Sequence, residues 1–309
     1  MSYMKKIVAL FAAAVLSLTL LSACGSPAQQ QSGAEKSGTE KVKVAVSFNA
    51  MKEFVQAVGK DKVDIVSVIP DGTEPHDFQP TPKDMKSLHD AKLFVYNGFG
   101  MEPWAQEAIK AADNSKLTVV EATKGIEPIA LTDPDEIKEH GANDPHTWLS
   151  LVNAQAEVKN IADGLAKADP KNADFYQKNA TEYNGQLQKL LDEYKGKFQN
   201  APRKDLVTGH AAFAYLCRDF GLTQNSVEDV FASGEPSAQR LAELVSYCKE
   251  HQVKTVFVEE AVSPKTSETL AKEVGAKTQV IHTMEGSEGT KTYLDRMKEN
   301  LEEIYAAMQ

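Results

Sequence analysis

Three histidines and one glutamate carry the most pointed chemistry in this chain. His76 lies at the tip of residues 72–82, GTEPHDFQPTP, beyond an apolar, β-branched run at 63–69. His146 sits in DPHTWLS, His210 directly follows the run 205–208, and Glu285 lies past residues 279–281 in IHTMEG. If those runs are strands of parallel sheets, all four side chains leave the carboxyl edge, where open α/β sheets bind their ligands. Three imidazoles and a carboxylate then converge on one metal ion. The four are separated by roughly 65–75 residues at each step, so the tertiary fold must gather them, unlike a zinc finger, whose ligands lie a few residues apart.

Seven histidines make any single one weak evidence, and a lone loop histidine is usually just solvated. His89 and His251 fall near the ends of polar helix faces, where a cation suits the helix dipole. His282 is close enough to Glu285 to be a rival fourth ligand. His140 shares a long acidic segment with Asp133, Asp135, Glu136 and Glu139, which is either an accessory cation site or an ordinary solvated loop. Asp144 is a candidate acceptor for a ring N–H, because metal-bound histidines donate their free N–H to a carboxylate or carbonyl; an N-cap role is the alternative. Glu259 and Glu260 end a strand on the same edge, where they either support the site or hydrogen-bond the loop of Ser263.

Three imidazole nitrogens with one carboxylate oxygen suit Zn²⁺ in a tetrahedron, with bonds of ~2.0–2.2 Å, better than Mn²⁺, which prefers more oxygen. Cu²⁺ would bind tighter by the affinity series alone. Four protein ligands leave no coordination position for a substrate water, so capture of a metal is expected rather than catalysis. The rival is a zinc hydrolase in which three histidines bind metal and Glu285 acts as general base. No HExxH helix or nucleophile elbow supports it.

The elements that position these residues alternate. Strands are expected at 41–48, 63–69, 93–97 and 117–121, with helices at 50–58, 82–91 and 102–112; Asn49 is placed to cap the first and Thr81-Pro82 to start the second. Residues 122–145 break the rhythm as a long loop that delivers His146. A helix at 149–167 follows, then a break at Asp169-Pro170 and a restart over 171–199. Twenty-nine residues at ~1.5 Å each span ~43 Å, a spine joining two lobes, with two shorter antiparallel helices as the alternative. The alternation then resumes, with strands at 205–208, 255–259 and 277–281 and helices at 211–220, 237–251, 264–274 and 290–308. The fold class is therefore α/β, two similar parallel-sheet lobes (42–168 and 201–309) joined by a long helix (169–200), with the metal cleft between them.

The N-terminus is set apart. Lys5 and Lys6 precede an apolar run at 7–20, too short and wrongly flanked for a spanning helix, as in a secretory signal. It ends in Leu-Ser-Ala-Cys24, so residues 1–23 are expected to be removed and Cys24 acylated, anchoring the protein to the outer face of a membrane. Residues 24–41 contain almost no apolar side chains and read as a flexible tether. Of 309 residues 42% are hydrophobic, enough for a substantial core. The net charge of −10 argues against nucleic acid as a partner and tolerates cations. Cys217 and Cys248 sit in helical patterns with apolar neighbours, where a disulfide and two buried thiols are equally consistent.

GTEPHDFQPTP, DPHTWLS, GHAAFAYLCRDFGL, VFVEEAVSPK and IHTMEG, in that order, resemble the metal-specific solute-binding proteins of ABC importers, zinc-uptake branch. The likeness covers residues 41–309. It implies two α/β lobes on one long helix, capture of a divalent metal between them and delivery to an ABC permease and its ATPase by a lipid-anchored monomer. The family's ligand positions fall on His76, His146, His210 and Glu285. A histidine at the third position is similar to the zinc branch; manganese carriers typically have glutamate there, and Mn²⁺ is the alternative cargo. The segment before His146 departs from many zinc members, which carry a histidine-rich run where this chain has only His140 and acids. A surface adhesin is a further role compatible with a lipoprotein.

Overall fold

The computed structural model describes residues 40–232, 236–259 and 263–309. The expected signal, Cys24 and Glu260 lie outside them. Eight strands form two four-stranded, all-parallel sheets. The first contains β1 (Val42–Val46), β2 (Val63–Ser67), β3 (Leu93–Tyr96) and β4 (Thr118–Glu121) in the order β2-β1-β3-β4. The second contains β5 (Asp205–Thr208), β6 (Thr223–Ser226), β7 (Thr255–Glu259) and β8 (Lys277–Ile281) in the order β6-β5-β7-β8. Both halves thus repeat one topology, and in each the strand order reverses between the two central strands, the point at which such sheets open a crevice.

Burial explains which segments were readable as strands. The central strands are almost wholly apolar and buried, as in LFVY of β3, because helices cover both faces. β6 is TQNS, a polar edge strand with a single buried residue, and it was not expected. Its pairing with β5 from Asp205–Thr223 to Thr208–Ser226 is set by the sheet and not by its own side chains.

The helices of the first half are α1 (Asn49–Gly59), α2 (Pro82–Asp90), α3 (Ala105–Ala111) and α4 (Pro134–His140). Thr81 and Asp84 close a reciprocal cap on α2, with Thr81 N–H donating to Asp84 at 2.7 Å. α4 lies in the segment expected to be a loop: the Asp133 side chain accepts from the N–H groups of Asp135 and Glu136, and Pro134 takes the first helical position. Next come α5 (Leu151–Ala168), capped by Ser150, and α6 (Ala173–Gln199). α6 is one continuous helix of 27 residues, so the two-helix alternative does not hold. Its buried face runs from Tyr176 through Leu187 and Leu191 to Phe198. Near its start Asn179 donates to Val58 O of α1. Near its end the Phe198 ring meets Phe220 and Tyr305 of the second half.

The second half adds α7 (Ala214–Phe220), α8 (Ala238–Glu250), α9 (Lys265–Val274) and α10 (Tyr293–Ala307). One apolar core spans both halves, running from β1 and β3 through α5 and α6 to α7 and α10. A smaller cluster around Val207, Leu244, Val256 and Leu270 sits under the second sheet. Cys217 and Cys248 are both buried free thiols, one in each cluster, so no disulfide joins them.

Candidate metal centre

Each expected ligand is delivered by a carboxyl-edge segment. His76 comes from the loop between β2 and α2, and His146 from the residue before a short 3-10 turn, Thr147–Leu149. His210 stands two residues past β5, and Glu285 four past β8. All four are buried, and one donor atom from each lies within 4.8 Å of every other. His76 Nε2 is 3.2 Å from His146 Nε2, which is 3.4 Å from His210 Nε2. Glu285 Oε1 is 3.8, 3.7 and 4.0 Å from the three nitrogens in the same order. Bonds of about 2.0–2.1 Å give a tetrahedron edges of about 3.3–3.4 Å, so His146 already stands at ligand spacing from both other rings, and the carboxylate lies a few tenths of an ångström outside it.

The supporting hydrogen bonds aim the nitrogens inward. His146 donates its Nδ1–H to Asp144 Oδ1 at 2.9 Å, and the same oxygen takes its backbone N–H at 2.9 Å. His210 donates Nδ1–H to Glu259 Oε2 at 2.7 Å. A carboxylate on Nδ1 keeps a proton there, so that in the neutral ring the Nε2 lone pair faces the centre. Gly209 makes the second contact possible: a Cβ there would stand 2.7 Å from Glu259 Oε2. Thr283 Oγ1 donates to Glu285 Oε2 at 3.1 Å, turning Oε1 toward the nitrogens.

Glu74 was missed. It takes the backbone N–H of His76 at 3.1 Å, as Asp144 does for His146. The signal was present, since Glu74-Pro75-His76 repeats the acid-Pro-His order of Asp144-Pro145-His146. The longer Glu74 side chain does not reach the ring, and His76 Nδ1 has no hydrogen-bond partner among the described residues. The Phe231 ring packs edge-on against His76 instead.

Electrostatics separate the three rings. Burial lowers the pKa of His76 well below the ordinary range, helped by repulsion from His146 and His210. Burial, then His210, does the same to His146. Burial also pulls on His210, but the carboxylates of Glu259, Glu285 and Glu74 outweigh it and push its pKa up to about 10. Burial raises Asp144 to about 7.

The rival and accessory residues lie elsewhere. His282 is engaged by Glu288 at 3.0 Å and Glu299 at 3.1 Å, away from the quartet. His89 donates its Nδ1–H to Ala112 O, and His251 pairs with Asp205. His140 stacks on Phe231, Asp133 caps α4, and Glu136 accepts from Val230 N–H. With Asp135 and Glu139 they line a cavity of 740 Å³, but among the described residues only the quartet brings three or more such donors together.

A family model described as zinc-uptake complex component A, periplasmic, matches residues 44–307. The chain belongs to that family. Within the zinc-uptake component A family it is 41% identical over 297 residues to the high-affinity zinc uptake system protein ZnuA of Bacillus subtilis, covering 92% of each. It is similar in structure to the metal-dependent lipoprotein YcdH of Bacillus subtilis, with a TM-score of 0.74 at 41% identity, covering 87% of this chain and 99% of that one. It is also similar to the laminin-binding protein Lmb of Streptococcus agalactiae, described as having adhesin and metal-transporting activity (TM-score 0.79, 34% identity, 87% and 100% covered). Zinc-uptake component A is a transport family, and the α/β architecture here is that of its solved relatives.

Proposed function

We propose that the protein is an extracytoplasmic solute-binding protein, anchored through Cys24, that captures Zn²⁺ on His76, His146, His210 and Glu285 and passes it to an ABC permease. The observation that carries this reading is the position of Glu285 Oε1, 3.7–4.0 Å from three converging Nε2 atoms. That spacing supports the reading of Glu285 as a fourth ligand. A general base would stand off a bound water and leave a coordination position open, so the hydrolase reading is disfavoured. Three nitrogens and one oxygen favour Zn²⁺ over Mn²⁺. Elemental analysis of protein purified without added metal, followed by competition between the two cations, tests this: one zinc per chain that excess manganese fails to displace is expected, and preferential manganese retention would refute it.

The likeness to Lmb favours a second role at the cell surface. Laminin binding by His210→Ala, blind to zinc, would separate adhesion from metal capture.

A further inference from the structure

The segment that presents Glu285 is held by an unusual set of backbone contacts. Five consecutive carbonyls, 282 to 286, each accept a hydrogen bond from a distant buried residue. Asn300 Nδ2 donates to His282 O at 2.8 Å, and Trp148 Nε1 to Thr283 O at 2.7 Å. Asn49 gives two, its side-chain Nδ2 to Met284 O and its backbone N–H to Glu285 O, both at 3.3 Å. Arg296 Nη1 donates to Gly286 O at 2.7 Å. Three of the five bonds come from the first half of the molecule.

Asn49 and Arg296 are themselves joined. Asn49 Nδ2 also donates to Glu53 Oε1 at 2.8 Å, and Arg296, fully buried on α10, pairs through Nη2 with that same carboxylate. Glu53 therefore ties the start of α1 to α10 behind the metal centre. Asn49, expected to cap α1, is instead its first residue and spends its amide on this link. Between the two anchors Met284 adopts φ +60° with its side chain wholly buried. A residue with a Cβ stays in that region only where its surroundings over-determine it.

We infer that Asn49 and Arg296, from the two sides of the cleft, are positioning residues that fix the backbone of Glu285 and so set its carboxylate as fourth ligand. This rests on the capture reading above. Neither residue touches the donors, and both act through main-chain carbonyls next to Glu285. A site without this support keeps its three imidazoles and loses the orientation of its one oxygen.

The test is a double-mutant cycle on the intact chain, with zinc affinity read by competition against a chromophoric chelator. Asn49→Ala should weaken zinc by about ten-fold, as for one or two lost hydrogen bonds. In a Glu285→Gln background the same change should cost less than about two-fold, because the group it positions is already gone. The visible bands of the Co²⁺ form should shift in Asn49→Ala toward those of Glu285→Gln. Arg296→Lys, which keeps a cation for Glu53 but lacks the second arm for Gly286, should behave alike; should it not fold, Asn49→Ala decides. An equal loss in both backgrounds, or no loss where wild type binds tightly, overturns the inference. If wild type binds neither Zn²⁺ nor Co²⁺, the capture reading itself fails.

Discussion

Glu259, the last residue of β7, holds His210 by both ends, taking its ring Nδ1–H at 2.7 Å and its backbone N–H at 3.1 and 3.2 Å. The two residues leave neighbouring strands at the reversal of the second sheet, and Gly209 lets them approach. Replacement by Glu259→Gln introduces an amide that can offer N–H to Nδ1, moving the ring proton to Nε2 where the metal must bind. Zinc affinity should fall by about 10–100-fold with the fold intact, measured by chelator competition.

Proton release on binding follows from the same pair. His210, pushed up to about 10, is charged at pH 7, whereas His76 and His146, pulled down by burial, are neutral. Zinc must therefore displace about one proton, and its affinity falls as pH falls below about 10. Calorimetry at pH 7.5 in buffers of different ionisation enthalpy should report this release, and titration of bound zinc toward pH 5 should show its loss. An affinity unchanged between pH 7.5 and 5 would contradict ligation by His210.

His210→Ala should weaken zinc by more than roughly 100-fold, beyond the loss usual for a supporting residue. His140→Ala should leave it nearly unchanged, since that ring stacks on Phe231 outside the quartet. Thermal melts provide a second readout: zinc at about 1,000 times its dissociation constant adds about 4 kcal/mol to wild type. His210→Ala should lose most of that shift.

Glu157 carries a separate pH signature. It is fully buried on α5, and burial raises its pKa to about 8 against the smaller, lowering influence of the Thr147 hydroxyl. A folded-state pKa above the unfolded one gives stability that is present below about 4.5 and lost as pH rises toward about 8. By linkage the loss approaches about 1.4 kcal/mol per pH unit in that window. Glu157→Gln should flatten this part of the stability curve, as read from urea midpoints between pH 5 and 8. An unchanged slope would assign it to other groups.

Much of this architecture was readable because the central strands and the capped helices declare themselves locally. β6 did not, since Thr223–Ser226 has no apolar run and pairs only because β5 offers an edge. α4 was legible in hindsight: Asp133-Pro134 is a helix start, overridden by the length of the surrounding segment. The candidate ligand histidines stood out through their shared place after strands. Asn49 and Arg296 did not: Asn49 acts on a main-chain carbonyl more than 200 residues away, which any residue supplies, and Arg296 finds its carboxylate partner, Glu53, equally far off in sequence.

Among the described residues, His76 alone of the three rings has no hydrogen-bond partner on its outer nitrogen, whereas its counterparts are pinned by Asp144 and Glu259. The halves cannot swing apart without tearing the hydrophobic interior they have in common. Turning the His76 ring out of the quartet would therefore break fewer side-chain hydrogen bonds than turning either of its counterparts.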